Sequence, residues 1–513
     1  MLPAILAKDR AFLGAREPET SRGWRKLGDV ARVGSRRLRS SDRRQEEKKH
    51  QEERVTKDRF PIANPAEDAV ASRIPAPALE VAKGLAAHGY RTVFVGGGVR
   101  DALLGIEPGG AWDLGTAATP QQVMKVYPAS VPTGIEHGTV TLPIDGGAVE
   151  ITTFRTEGTY TDARHPDHVS FTDDLSADLL RRDFTVNAMA YDAAAHRLVD
   201  EVGGMADLRA GILRAVGDPK ARLAEDALRA MRAARLVSTR GFEIEPATRA
   251  ALPAVAKLLP KVSAERVRDE LTRLILGEAP DRGLDTLREA GLLRVVLPEL
   301  ADCEGVPQNR YHAFDVYRHT LETLRHAEPR FRVRWASLCH DLGKPATRGE
   351  KDNGEGTFYG HPQVGADITE TLLERLRFPR AEREAIVLLV REHLFDYRPE
   401  WTDAAVRRFL KRVGWEHLDD LFDLRRADIA GTGVGSDGSS IDDLKRRIAA
   451  VRASRAPLSI GELAVDGQDV MRELGVGPGP VVGQILRTLL EEVLEDPARN
   501  DRAWLLRRLR SLA

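Results

Sequence analysis

Cysteine is nearly absent: Cys303 and Cys339 are the only two in 513 residues. Two thiols cannot staple a chain of this length, so a disulfide framework is excluded and a reducing compartment is expected. Long apolar runs are missing too. No stretch approaches the roughly 20 apolar residues of a membrane-crossing helix, and the opening MLPAILAKDR lacks an apolar core followed by a cleavage site. A cytoplasmic location is the expectation. Neither sign of charge prevails, with 77 Lys+Arg against 78 Asp+Glu, so polyanion binding must be sought in local clusters. No internal repeat with a period of about 20–50 residues is found.

What is present is ordinary globular material, 42% apolar and 30% charged, at a length that accommodates roughly three or four domains. Residues 1–74 read as a disordered basic extension. The first 60 carry 17 Lys/Arg against 10 Asp/Glu and no sustained apolar period. An RNA-contacting arm and a bland solvated extension both stay open for it. From about Pro75 the texture changes: LEVAKGLAAHGY has helical spacing, RTVFVGGG is a short β-rich run ending in glycines, VRDALLG resumes helically, and GTVTLPI and AVEITTF read as strands. After about Leu213 the chain is almost wholly helical, broken at GFEIEP, LPELADCEGVP, GEKDNGEGTFYGHP and GTGVGSDGSS. The expected fold class is an α/β head over 75–213 followed by a mostly α-helical body, divided at 214–300, 301–455 and 456–513.

Gly96 to Gly98 sit between strand and helix, where backbone N–H groups can approach a phosphate. The run continues through VRD and LLG to Asp113 in WDLGTAATP, then to a strand bearing Glu150. In this the chain resembles the class II tRNA nucleotidyltransferase and bacterial poly(A) polymerase family, whose opening motif reads GGxVRDxLLG followed by DxD. RRDFTVNAMAYD (181–192), LVDEVGGMADL, EDALRAMRAARL (225–236) and VSAERVRDEL (262–271) extend the resemblance in order, and it covers nearly everything from Pro75 onward. It implies a polymerase-beta-like head, Mg²⁺ as cofactor, and addition of C and/or A from CTP and ATP to the 3′ end of tRNA without a nucleic-acid template. Asp113 takes the second metal position and Glu150 is a further catalytic carboxylate. Gly97, Gly98, Arg100, Arg181, Arg182, Asp183, Asn187 and Arg232 fall on the nucleotide-contacting positions.

One departure from the family pattern stands out. Ala111 occupies the place of the first Asp of DxD and cannot bind a cation. Asp residues at i and i+2 on a strand point to one face, so the pair is reduced to Asp113, and transfer weakened by a factor on the order of 10²–10⁴ is expected. Asp101 and Glu107 lie nearby in sequence, on backbone ill placed to substitute. In EDALR, Asp226 and Arg229 are expected at i and i+3 of one helix and so on one face. A carboxylate beside a guanidinium matches the edges of cytosine and adenine and clashes with those of uracil and guanine.

A second constellation lies in the helical body: His319, the His340-Asp341 pair, His361, His393 and Asp428. Imidazoles and carboxylates on facing helices suit a divalent transition metal, whose bound water could attack a phosphoester. The order resembles the HD phosphohydrolase superfamily, with His319, His340, Asp341 and Asp428 on the core metal positions and His361 and His393 on auxiliary ones. The tail from PLSIGEL onward resembles the family's C-terminal RNA-binding helices; GVGPGPVVG is read either as a phosphate contact or as a turn between two helices. Two alternatives to a nucleotidyltransferase remain: a metal-dependent phosphohydrolase acting on RNA ends or cyclic phosphates, and a non-catalytic RNA binder.

Overall fold

The computed structural model describes residues 59–107, 112–157, 169–352, 355–434 and 439–512. Ala111 and residues 1–58 of the basic extension lie outside the described residues.

The head is a seven-stranded mixed sheet. Among the described residues nine short strands precede residue 201: β1 Thr92–Val95, β2 Trp112–Thr116, β3 Val131–Gly134, β4 Thr139–Ile144, β5 Gly147–Thr153, β6 Arg155–Glu157, β7 Val169–Phe171, β8 Met189–Asp192 and β9 Arg197–Asp200. The sheet order is β3-β4-β5-β2-β1-β8-β9, and β6 and β7 form a separate hairpin. Only β2 and β5 run parallel; the other neighbours in the sheet are antiparallel. β1 reads TVFV and is buried throughout, as a central strand covered on both faces must be.

Strand alternation assigns the two faces. Phe94, Trp112, Leu114, Val149 and Ile151 join the helix Ala76–Ala87 in the main core, where Phe94 and Trp112 meet edge to face at 5.5 Å between ring centroids. Val93, Val95, Phe154 and Ala190 face the other way and are covered by Leu175 and Leu179 of the helix Leu175–Leu180. Asp113 pairs with Val95 across β1–β2 and so belongs to this second face.

Residues 59–74, expected within the disordered extension, are part of the head. The helix Ala66–Ala71 and Ile74 insert Val70 and Ile74 into the main core, while Phe60 stacks edge-on against Phe242 at 5.8 Å. The short apolar spacing here is too brief to register as periodicity, yet it buries against the sheet's helices.

Among the described residues the body is helical apart from two minimal pairings. Ile212–Leu213 pairs in parallel with Glu243–Ile244, and Gly349–Glu350 pairs with Gly356–Thr357, both within predicted breaks or at the head boundary. Helix Leu228–Arg240 packs through alanines against Ala264–Ile275 and Pro280–Glu289. Helices Val316–His326, Phe331–Cys339, His361–Arg375, Arg380–Glu392 and Leu418–Gly431 follow. The tail helices Gly467–Leu474, Pro480–Glu495 and Arg502–Arg510 are tied on by buried Arg407, which donates to the Leu494 and Glu495 carbonyls at 2.7 and 3.0 Å. That guanidinium satisfies terminal carbonyls left open by the helix geometry. GVGPGPVVG spans Gly475, which ends one tail helix in a left-handed conformation, and Gly479, which precedes the next.

Candidate active sites

The first site is built on the second face of the sheet. Asp113 and Glu150 are in register on the parallel pair β2 and β5, so their side chains leave the same face side by side. Burial, reinforced by the Glu150 charge and opposed by Arg182, pushes the Asp113 carboxyl up to about 6. A half-buried carboxylate and an exposed one side by side repel one another, and a divalent cation relieves that repulsion; the pair fits such an ion.

The turn above them depends on Gly96. Its φ of +75° suits glycine, and a Cβ there would stand 3.1 Å from Asp113 Oδ2 and 3.3 Å from Arg182 Nη1. Gly96 is thus the glycine facing the carboxylate, whereas Gly98 is required by packing: its Cβ would meet the Trp112 ring at 2.9 Å. Gly97 opens the helix Gly97–Leu103 beside the Arg100 guanidinium.

Arg181 and Arg182 follow the helix that covers this face, so Arg182 arrives beside Asp113 as a consequence of packing Leu175 and Leu179. Both are held by Asp178, a residue that the motif reading missed. Arg181 donates to Oδ1 from Nε and Nη2 at 3.1 and 2.7 Å, and Arg182 Nη2 to Oδ2 at 3.0 Å. Burial raises the Asp178 carboxyl, and Arg182 and Arg181 more than reverse it, leaving it below the usual range. Arg182 Nε is buried without a hydrogen-bond partner among the described residues. The spacing of Asp178, three and four residues ahead of the arginines, was the available signal.

Asp183 and Asn187 are braces within the protein. Asp183 accepts from Phe184 N at 2.7 Å, Asn187 Nδ2 at 3.0 Å and Arg232 Nη1 at 2.6 Å. Burial would raise its carboxyl, but Arg232 above all holds it far below the ordinary value. Asp101 is likewise committed, to Arg100 and Arg240, and is not available as a replacement metal ligand.

The expectation that Asp226 and Arg229 share one helix is corrected. Asp226 ends the helix Pro219–Glu225 in an extended conformation, φ −142° and ψ 107°. Its Oδ1 accepts from Leu228 N at 3.1 Å, the local side-chain-to-backbone bond by which Asp interrupts helices. Oδ2 accepts from Arg266 Nη2 at 2.7 Å. Arg229, inside the next helix and buried, is held by Glu225 and donates to the Arg222 carbonyl at 2.7 Å.

The second site brings all six predicted residues together, each buried. His319 Nε2 lies 3.2 Å from His340 Nε2, 3.1 Å from Asp428 Oδ1 and 3.3 Å from Asp341 Oδ2. His340 Nε2 is 3.1 Å from Asp341 Oδ2, and Asp341 Oδ1 faces His361 Nε2 at 3.5 Å and His393 Nε2 at 4.0 Å. Two potential metal-holding triads result, His319-His340-Asp428 and Asp341-His361-His393. Close approach is allowed by Gly343, where a Cβ would fall 2.6 Å from Gly365 N of the His361 helix.

The donor set fits metal ions. His340, His361 and His393 each direct Nδ1 to a backbone carbonyl, of Ser337, Phe358 and Val390, at 2.8, 2.8 and 2.7 Å. The carbonyls place the proton on Nδ1 and turn the Nε2 lone pairs inward. Burial lowers His319, but Asp341 and Asp428 outweigh it and carry it to about 9; the same field attracts a cation. Burial, with His340 adding, takes His393 down to about 3. Lys344 and Arg425, absent from the motif reading, hold Asp341 Oδ2 at 2.7 Å and Asp428 Oδ2 at 2.6 Å. The cluster opens on a cavity of about 710 Å³ that also includes His312, Lys351 and Tyr359.

A mixed-sheet head carrying a carboxylate pair under a glycine turn, followed by a helical body with an HD cluster, defines a nucleotidyltransferase fused to an HD domain. A family model described as the poly A polymerase head domain matches residues 92–214, a probable RNA and SrmB-binding site of polymerase A matches 241–304, and the HD domain matches 311–430. The chain is 36% identical over 443 residues to the CCA-adding enzyme of Geobacillus stearothermophilus, covering 85% of this chain and 97% of that one. It is 45% identical over 419 residues to the CCA-adding enzyme of Levilactobacillus brevis, 82% and 93% of the two chains. It is 39% identical over 342 residues to the A-adding tRNA nucleotidyltransferase of Deinococcus radiodurans, 63% and 76%. The crystal structure of the Bacillus stearothermophilus CCA-adding enzyme in complex with CTP superposes with a TM-score of 0.64 at 31% identity, covering 85% of this chain and 98% of that one. The chain belongs to the tRNA nucleotidyltransferase family, with an HD domain. Among the described residues no helix is long and apolar enough to cross a membrane.

Proposed function

We propose that this protein adds C and/or A nucleotides to the 3′ end of tRNA from CTP and ATP without a template. The observation that carries the reading is the in-register Asp113-Glu150 pair beneath the Gly96 turn. Joining a nucleotide requires attack of the RNA 3′ hydroxyl on the α-phosphate with loss of pyrophosphate. A divalent cation such as Mg²⁺, when bound, stabilises charge on the attacking and leaving oxygens, and Asp113 and Glu150 are the side chains to hold it. Arg182, fixed by Asp178, brings positive charge to the same face for the triphosphate, with Arg181 and Arg100 behind it. Backbone N–H groups at the glycine turn add donors. Asp226 and Arg229, steadied by Arg266 and Glu225, present an acceptor and a donor to the base edge. Mg²⁺-dependent transfer of labelled CTP and ATP to tRNA lacking its 3′ end tests the proposal; incorporation of all four nucleotides alike, or of none with either substrate, refutes it.

A second activity is favoured by the HD cluster. Two buried triads open on one cavity, with Lys344 and Arg425 against their carboxylates, an arrangement suited to metal-assisted hydrolysis of a phosphoester on an RNA end or cyclic phosphate. Divalent transition metals match the His-rich donors. Release of phosphate from an RNA end bearing a phosphomonoester, or opening of a cyclic phosphate to the monoester, by the metal-loaded protein, lost in Asp341→Ala, tests it.

A further inference from the structure

Six side chains close a ring across the junction of the head with the helical body. Arg240, the last residue of the helix Leu228–Arg240, donates from Nε and Nη2 to the two oxygens of Asp101 at 2.9 and 2.8 Å. Asp101 Oδ1 also accepts from Arg100 Nε at 2.8 Å, and Arg100 Nη1 donates to Asn187 Oδ1. Asn187 Nδ2 donates to Asp183 Oδ1 at 3.0 Å, and Asp183 Oδ2 accepts from Arg232 Nη1 at 2.6 Å. Arg232 lies on the same helix as Arg240, so the chain of bonds returns to its start.

A single ion pair between two bodies acts as a pivot. Two anchors on one helix, eight residues or about 12 Å apart along its axis, and joined through one network, resist both tilting and sliding. The head-side members are buried: Arg100, Asp101, Asp183 and Asn187 are each under a tenth exposed. Release of Arg232 would leave Asp183 without its ion-pair partner in a poorly solvated place, and release of Arg240 would leave Asp101 to Arg100 alone. The helix so fixed carries Arg229 near its start, three residues after Asp226. The opposite side of the ring includes Arg100 and Asp101, on the helix that springs from the glycine turn over Asp113.

We propose that Arg240 is a positioning residue for nucleotide choice: through Asp101 it sets where the base-reading pair stands relative to the carboxylates of transfer. It lies eleven residues beyond Arg229, about 16 Å along the helix, out of reach of a base that Arg229 reads. Its effect is exerted wholly through the helix. Hydrogen-bond discrimination is sensitive to displacement, since about 1 Å of misplacement can cost on the order of 10²-fold.

This inference rests on the base-reading role proposed above, and the test separates the two. Equilibrium binding of CTP, ATP, UTP and GTP is measured for the unmodified protein, Arg240→Met and Arg240→Lys, with incorporation into tRNA and thermal melting alongside. Arg240→Met is expected to lose about 10-fold or more of the preference for CTP over UTP while still binding triphosphate. Arg240→Lys, which keeps the charge but not the two-pronged contact, should fall between. If Arg240→Met, or Arg240→Lys should the former fail to fold, melts at a lower temperature yet keeps the full preference, Arg240 is merely structural and the inference is overturned. If the unmodified protein shows no preference, the base-reading role itself has failed and this inference falls with it.

Discussion

Asp113 and Glu150 stand directly opposite one another on parallel neighbouring strands, both on the face that Arg182 overhangs. In this register β2 offers Asp113 and β5 Glu150; we propose that Ala111, two residues before Asp113, stands where a first carboxylate is missing.

Restoring that position should restore catalysis. Ala111→Asp is expected to raise Mg²⁺-dependent incorporation by on the order of 10²-fold or more, and Asp113→Ala to abolish what remains. Both are read by transfer of labelled CTP to tRNA lacking its 3′ end. High activity in the unmodified chain would mean that Glu150 suffices as partner to Asp113, and Glu150→Ala should then eliminate it.

Base choice should reside in the break between two helices. Arg229→Ala removes the donor beside Asp226 and is expected to cut the preference for CTP and ATP over UTP and GTP by about 10-fold or more, as loss of one two-point base contact is worth about 1–3 kcal/mol. Competition binding with the four triphosphates measures it. An unchanged ranking would remove Arg229 from base reading.

The HD cluster should lose its metal when Asp341 is removed, because this one carboxylate faces His319 and His340 with Oδ2 and His361 and His393 with Oδ1. Partners that only support a ligand are worth about 10–100-fold in affinity, so Asp341→Ala is expected to lose at least that. Elemental analysis of the purified proteins decides it; equal metal content would refute the assignment.

Acid should loosen the tail through Asp469. Hydrogen bonds from Arg502 at 2.7 and 2.6 Å, with the backbone bond to Asp466 N and an ion pair with Arg472, outweigh desolvation and hold this carboxyl at about 2. A folded value below the unfolded one, near 4, gives stabilisation that is complete above the unfolded value and lost as pH falls toward 2. Its size should be about 1–2 kcal/mol, reduced from the full two-unit value because both arginines are more than half exposed to screening solvent. Asp469→Asn should melt earlier at pH 6 and lose less between pH 5 and 3, as followed by circular dichroism.

Much of this protein was determined by local sequence. The strand-glycine-helix run at 92–103, the alternation that turns Glu150 outward while Val149 and Ile151 go inward, and the six HD residues in order are encoded in residue type and spacing, because each follows from the period of its own element. Tertiary structure decided what those residues touch. Arg182 meets Asp113 only because Leu175 and Leu179 pack their helix on that face of the sheet, and Asp101 is withdrawn from any metal role only because Arg240 reaches it from 139 residues away. Asp226 left the helix that periodicity assigned to it because its carboxylate found Leu228 N and Arg266 instead. Residues 59–74 joined the head for the same reason: a few apolar side chains, too few to show a period, acquire their stabilisation from a surface made by residues far along the chain.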